Sequence, residues 1–221
     1  MGSIIRWYQL AETIVTTQLK TRLEGLSPEE VLTRQKEFGP NSLPEAKPDS
    51  LWRVFWRQFQ SPLIYLLVLV SIIVFFLQEP ADSIIIFFIL LFNAVIGTLQ
   101  EGRAQNTLYA LKKFTQTTAN VVRSGISEII PDTGLVVGDI VVLKEGQRVP
   151  ADIRLLTVTS LKIDESSLTG ESEPIVKCNE VLVGEETVAV AEQTNMVFRG
   201  TSVMAGSGSG VVVAIGTDTA L

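Results

Sequence analysis

The sequence has no histidine and one cysteine, Cys178. Serine–histidine or cysteine–histidine catalysis is therefore excluded, as are histidine-ligated metals, thiolate zinc clusters and an internal disulfide. Any acid–base chemistry falls to Asp, Glu or Lys. Charge is also scarce. Asp, Glu, Lys and Arg make up 19% of the residues, below the roughly one quarter usual for soluble domains. The balance is acidic, -6 at pH 7, which offers a nucleic acid no basic surface. Met1 to Leu10 lack the apolar core of a secretory signal. No internal repeat is visible. The glycine-rich Gly206-Ser207-Gly208-Ser209-Gly210 lacks the Lys and Ser/Thr of a phosphate-binding P-loop and leads into the β-like Val211 to Ile215, so it reads as a hairpin turn.

In place of charge the chain has long apolar runs. Leu63 to Leu77 contains only Tyr65 and Ser71 as polar residues, and Ile84 to Leu99 only Asn93 and Thr98. Each run alone is short of the roughly 20 residues that span a bilayer. The first is extended by the amphipathic Leu51 to Pro62, where Trp52, Phe55, Trp56 and Phe59 stand beside Arg53 and Arg57, a mixture suited to lipid headgroups. The second continues as a helical pattern through Ala104, Leu108 and Leu111 to an end near Phe114. With the short link at Gln78 to Asp82, the pattern predicts a two-helix transmembrane hairpin whose second helix projects as a stalk. Arg and Lys flank the spans at Arg53, Arg57, Arg103, Lys112 and Lys113 and are missing from the link, which places both ends of the hairpin in the cytoplasm.

The flanking segments are polar. Ser27, Pro28 and Glu30 form a capping box with proline at the first helical position, Leu26 and Val31 are spaced as a hydrophobic staple, and Gly39-Pro40 ends the helix. A weaker helix covers Glu12 to Leu23. Asn41 to Asp49, with Pro44 and Pro48, reads as an extended linker. From Ala119 the period changes. Short β-like runs at 121–122, 129–130, 140–143, 153–158, 161–163, 197–198 and 211–215 alternate with glycine-bearing turns, which predicts an all-β sandwich, jelly roll or barrel. Glu180 to Gln193 is acidic and predicted to be an exposed excursion. Within the β region lies Thr169-Gly170-Glu171-Ser172. Gly170 permits a tight turn, the Thr169 and Ser172 hydroxyls can brace it, and Glu171 is left as a carboxylate at its tip. By itself this is compatible with a solvated surface turn.

An ordered set of motifs gives the turn a context. Gly25-Leu26-Ser27 and Gly39-Pro40-Asn41 precede the apolar runs. Gln58-Phe59 with Pro62-Leu63-Ile64 enters the first run, and Asn93 to Gly97 with Gln100-Glu101 closes the second. Val137 to Val141, Val149-Pro150-Ala151-Asp152, Asp164 to Ser172, Phe198-Arg199-Gly200-Thr201 and Gly216 to Thr219 follow in the β region. Together these resemble the N-terminal cytoplasmic segment, first membrane hairpin and actuator domain of a P-type cation-transporting ATPase, of the type II branch that includes calcium pumps. The resemblance implies an α+β membrane protein with N-terminal helices (1–49), an amphipathic approach and first span (50–78), an extracytoplasmic link (79–82), a second span and stalk (83–114) and a jelly-roll-like cytoplasmic actuator domain (115–221).

It implies further that the T-G-E-S loop reaches an aspartyl-phosphate on a separate domain. There Glu171 would orient or deprotonate the hydrolytic water, with Thr169, Gly170 and Ser172 as loop support. Asp152 and Asp164 are read as structural. Sequence D-K-T-G-T, the nucleotide-binding domain and the remaining membrane helices are not among these residues, so the chain alone is expected to be inactive. ATP and Mg²⁺ are implied for the whole pump and no cofactor or metal for this chain. Its implied partners are the lipid bilayer, the other pump domains and a transported cation. Gln60 stands near a position where some calcium pumps carry an acid, which leaves the ion open. A non-catalytic membrane-anchored β-domain with a regulatory or assembly role is the competing reading, and a plain two-helix anchor with a β-sandwich is the blandest.

Overall fold

The computed structural model describes residues 5–42, 49–78, 80–114, 117–171, 173–184 and 188–220. Pro44 and Pro48 of the expected linker, Glu79 of the link, and Ser172 of the T-G-E-S loop lie outside the described residues. The chain divides into two compact units, Met1–Glu45 with Gln116–Leu221, and Ala46–Thr115.

In the first unit, α1 (Glu12–Gln18) and α2 (Pro28–Phe38) precede a seven-stranded antiparallel sheet. At α2 the capping box is complete: the Glu30 amide donates to Ser27 Oγ at 3.3 Å and the Ser27 amide to Glu30 Oε2 at 2.7 Å. Leu26 and Val31 are buried together with Val136. Helix α1 stops short of Leu23. Lys20 adopts φ 48°, and the Arg34 guanidinium donates to the Leu19 and Lys20 carbonyls at 2.6 and 3.0 Å, satisfying acceptors that a continuing helix would have used.

The sheet runs β2-β1-β3-β7-β4-β5, with β6 pairing β4. Its strands are β1 (Thr118–Arg123), β2 (Ile126–Pro131), β3 (Ile140–Lys144), β4 (Asp152–Asp164), β5 (Ile175–Val176), β6 (Met196–Val197) and β7 (Ser202–Ala214). The apolar runs expected at 153–158 and 161–163 are one strand, β4, interrupted by register shifts around Thr159 and Lys162, with Ser160 at φ 49°. The expected hairpin turn at Gly206 to Gly210 is instead the middle of β7, paired on one side with β3 and on the other with β4. The physical reason is space. A Cβ on Gly208 would lie 2.8 Å from Thr157 O, and one on Gly210 would lie 2.4 Å from Ile153 Cγ2 and 2.6 Å from Arg154 O. The glycines let β7 approach β4 closely.

Alternation along the strands builds two apolar clusters. Val121, Val141, Ile153, Leu155 and Val212 belong to the larger one; Ile140, Leu156, Val211 and Val213 belong to the other, shared with Tyr8 and Val15 of the N-terminal segment. The N-terminal residues are therefore built into the β-domain core. Buried Arg154 reinforces this by donating to the carbonyls of Trp7, Leu10 and Asn179, each at 3.2 Å. Asn195 Nδ2 donates to Tyr8 O at 2.8 Å. Asn41, expected in a linker, is fully buried: its Nδ2 donates to Asp132 O and Pro150 O at 2.9 and 3.0 Å, and its Oδ1 accepts from the Gly216 amide at 2.9 Å.

The second unit contains α3 (Leu51–Gln58), α4 (Pro62–Phe76) and α5 (Pro80–Phe114). Helices α4 and α5 lie side by side; Ser71 Oγ donates to Ser83 O at 3.2 Å and Ser83 Oγ to Ser71 O at 2.9 Å. Helix α3 packs on α5 where α5 carries glycine: a Cβ on Gly102 would meet Leu51 Cδ2 at 2.5 Å, and one on Gly97 would meet Gln58 Oε1 at 2.9 Å. Glu101 gathers Arg57, Gln58 and Gln105, and Arg57 reaches on to Asp49. Among the described residues one helix, Ala81–Tyr109 within α5, is long and apolar enough to cross a membrane; Ile64–Phe76 is apolar but shorter.

Candidate functional site

The predicted loop sits where β4 ends. Asp164 closes the strand by accepting the Ser166 amide on Oδ1 at 2.9 Å, and the Ser166 hydroxyl first, with this amide second, holds the carboxyl below the usual aspartate range. The chain then makes the single short helix α6 (Ser166–Thr169). The Glu165 carbonyl accepts from the Leu168 amide at 2.8 Å, the Thr169 amide at 3.0 Å and the Thr169 hydroxyl at 3.2 Å. Gly170 ends the helix in the left-handed region, φ 75°, with its amide bonded to Ser166 O at 2.9 Å. Beyond it the Glu171 amide donates to Thr169 Oγ1 at 3.1 Å. One hydroxyl thus donates into the helix and accepts from the residue after the turn.

The outcome is an exposed carboxylate on a fixed backbone. Glu171 is exposed, and its side chain makes no hydrogen bond or ion pair with another described residue. A Cβ on Gly170 would meet nothing within 4 Å, so the tip is open on the side from which a second surface could approach. Thr169, Gly170 and Glu171 are brought together. Leu168, just before them, turns inward and packs against the cluster containing Phe198 and Leu156. The two other aspartates singled out by sequence sit in structural positions. Asp152, at the start of β4, accepts the amides of Arg199 at 2.9 Å and Ala220 at 2.7 Å; burial pushes its carboxyl up while those bonds oppose the shift.

Sequence reasoning missed the pair beneath the loop. Glu165 and Lys177 have side chains 1% and 0% exposed, and Lys177 Nζ lies 2.6 Å from Glu165 Oε1. Burial pushes the carboxyl up and the ammonium down, and their mutual attraction opposes both shifts. A lysine after Ile175-Val176 and a glutamate after Asp164 read as ordinary surface charges, so no local signal marks them.

Residues 113–221 match the P-type ATPase actuator domain, and residues 7–74 match the cation transporter/ATPase N-terminus. This chain belongs to the cation-transporting P-type ATPases. It is 40% identical over 212 residues to calcium-transporting ATPase 1 of Lactococcus lactis, covering 96% of this chain and 24% of that protein. To the probable cation-transporting ATPase F of Mycobacterium tuberculosis it is 43% identical over 197 residues, 89% of this chain and 22% of that protein. A calcium-transporting ATPase of Bacillus subtilis is 38% identical over 218 residues, 98% of this chain and 24% of the relative. The chain therefore spans about a quarter of the length of these relatives. The Thr169–Glu171 turn and the Glu165–Lys177 pair both lie within the actuator match. Arg154, which holds Trp7 and Leu10, ties residues of the two family regions to each other.

Proposed function

We propose that this chain is the actuator and first membrane segment of an ATP-driven cation pump, and that its T-G-E-S loop promotes hydrolysis of an aspartyl-phosphate carried by a phosphorylation domain. The observation that carries the proposal is the exposed Glu171 on a turn fixed by the Thr169 hydroxyl and the left-handed Gly170. An acyl phosphate is attacked by water, and a positioned carboxylate orients that water or accepts its proton. The open space around Gly170 gives a phosphate-bearing surface access to the turn. Ser172 joins Thr169 as loop support in this reading.

In this reading the ATP and Mg²⁺ of the whole pump belong to its other domains, and the part assigned to this chain runs through its own carboxylate, Glu171. Helices α4 and α5 form the proposed two-helix hairpin in the bilayer, with the Arg- and Lys-bearing ends and the jelly-roll-like β-domain in the cytoplasm. The calcium-transporting relatives favour a cation as cargo, and Gln60 leaves its identity open. In the whole pump, Glu171→Ala is expected to permit phosphoenzyme formation and to slow its decay by about 100-fold. Decay at the unsubstituted rate would remove Glu171 from the mechanism.

A further inference from the structure

Glu165 and Lys177 form a buried ion pair that the hydrolytic reading does not use. Glu165 is the residue on which α6 is hung: its carbonyl accepts three of the bonds that shape the turn. Lys177 lies across the neck of the same loop, just after β5, and its amide donates to Leu161 O at 3.0 Å. Strand β5 closes the neck through Lys162↔Val176 and Ile163↔Ile175. Lys177 Nζ is also 3.4 Å from Gln193 O and 6.0 Å from the centre of the Phe198 ring. The segment that carries Glu171 thus leaves and rejoins the sheet between two buried charges that face each other.

Such a pair is a poor choice for holding two strands together. Removing two charges from water is costly, and apolar side chains of similar size often serve stability equally well. The ion pair is also incompletely satisfied, because Lys177 meets Glu165 Oε1 while the second carboxylate oxygen, Oε2, has no hydrogen-bond partner among the described residues. What an ion pair adds over an apolar contact is a single preferred placement of both groups. Here the residue that makes the ion pair is also the one whose carbonyl accepts the three bonds from Leu168 and Thr169.

We propose that the Glu165–Lys177 pair is a positioning device for the actuator loop, fixing its neck so that Glu171 is presented in one place. This rests on the hydrolytic role given to Glu171 only for its consequence in turnover; the effect on loop order stands apart from it. The test uses Lys177→Met and the double variant Glu165→Gln/Lys177→Met in the whole chain. Amide hydrogen exchange is followed at Gly170, Glu171 and, in the sheet, Val212. Lys177→Met leaves a buried uncompensated carboxylate and lowers global stability. The double variant removes that charge and restores stability. In both, the Gly170 and Glu171 amides are expected to exchange about tenfold faster, with Val212 in the double variant unchanged. If loop exchange in the double variant equals that of the unsubstituted chain, the pair only holds strands together and the proposal is overturned. The double variant in the whole pump separates the two readings. Slow phosphoenzyme decay with normal formation supports both, whereas loosened loop amides with normal decay keep the positioning role and overturn the role of the loop in hydrolysis.

Discussion

Gly210 and Gly170 are both glycines in the β-domain, and opposite constraints work against a side chain at each. At Gly210 the backbone is ordinary strand and the space is missing: a Cβ would sit 2.4 Å from Ile153 Cγ2 and 2.6 Å from Arg154 O. At Gly170 the space is open and the backbone is unusual, φ 75° with nothing within 4 Å of a built Cβ. The first glycine belongs to the packed body of the domain, where β7 presses on β4. The second belongs to an exposed turn held by local hydrogen bonds. The sheet is built to stay in one arrangement, and the loop is built to present a group.

That difference can be broken in graded steps. Gly210→Ala is expected to have the largest effect, about 3 kcal/mol or more of lost stability, because the neighbours it meets include backbone that cannot retreat. Urea unfolding of the chain reads this directly, and a loss under 1 kcal/mol would mean that the strands can separate cheaply. Asn41→Ala comes next, at about 2 kcal/mol, since it leaves the Gly216 amide, the buried Pro150 carbonyl and the half-buried Asp132 carbonyl without their partner. The same unfolding assay checks it, and an unchanged midpoint would return Asn41 to the linker that sequence alone assigned.

Gly170→Ala should cost only about 1 kcal/mol, the strain of a Cβ in the left-handed region. Gly170→Asn should recover part of that cost, because asparagine tolerates this conformation. No such recovery is expected for any side chain at Gly210, so equal behaviour of alanine and asparagine at Gly170 would undo the contrast. The smallest effect concerns pH. The Asp164 carboxyl is held below its ordinary range by Ser166, so the turn's stabilisation is fully present above the unfolded aspartate value. It is lost as pH falls through the lower folded value. The Ser166 amide resonance should shift along that acid limb, and a midpoint at or above the ordinary aspartate value would contradict the bond to Asp164.

The sequence was most informative where structure is local. The Ser27–Glu30 capping box, the Leu26–Val31 staple and the helix running to Phe114 are set by residues a few positions apart, and so is the Thr169–Gly170–Glu171 turn. It misled where one residue type answers to two causes. The glycines at 206–210 signal a turn or a close approach equally well, and only the position of β4 decides between them. It was silent where partners are far apart in the chain. Asn41 is fixed by Asp132, Pro150 and Gly216, Arg154 by carbonyls of Trp7, Leu10 and Asn179, and Glu165 by Lys177 across the loop neck. Each is a charged or amide side chain whose ordinary place is the surface, and its burial follows from contacts no local pattern encodes.

The central claim is that Glu171, held by the T-G-E turn, acts on a phosphorylated partner surface. Rapid-quench measurement of phosphoenzyme decay in the whole pump carrying Glu171→Gln tests it most directly. This substitution keeps the size of the side chain and the backbone turn while removing the carboxylate. Phosphoenzyme should form at the normal rate and decay about 100-fold more slowly. Decay indistinguishable from the unsubstituted pump would contradict the claim and leave the turn as an exposed bend in the actuator domain.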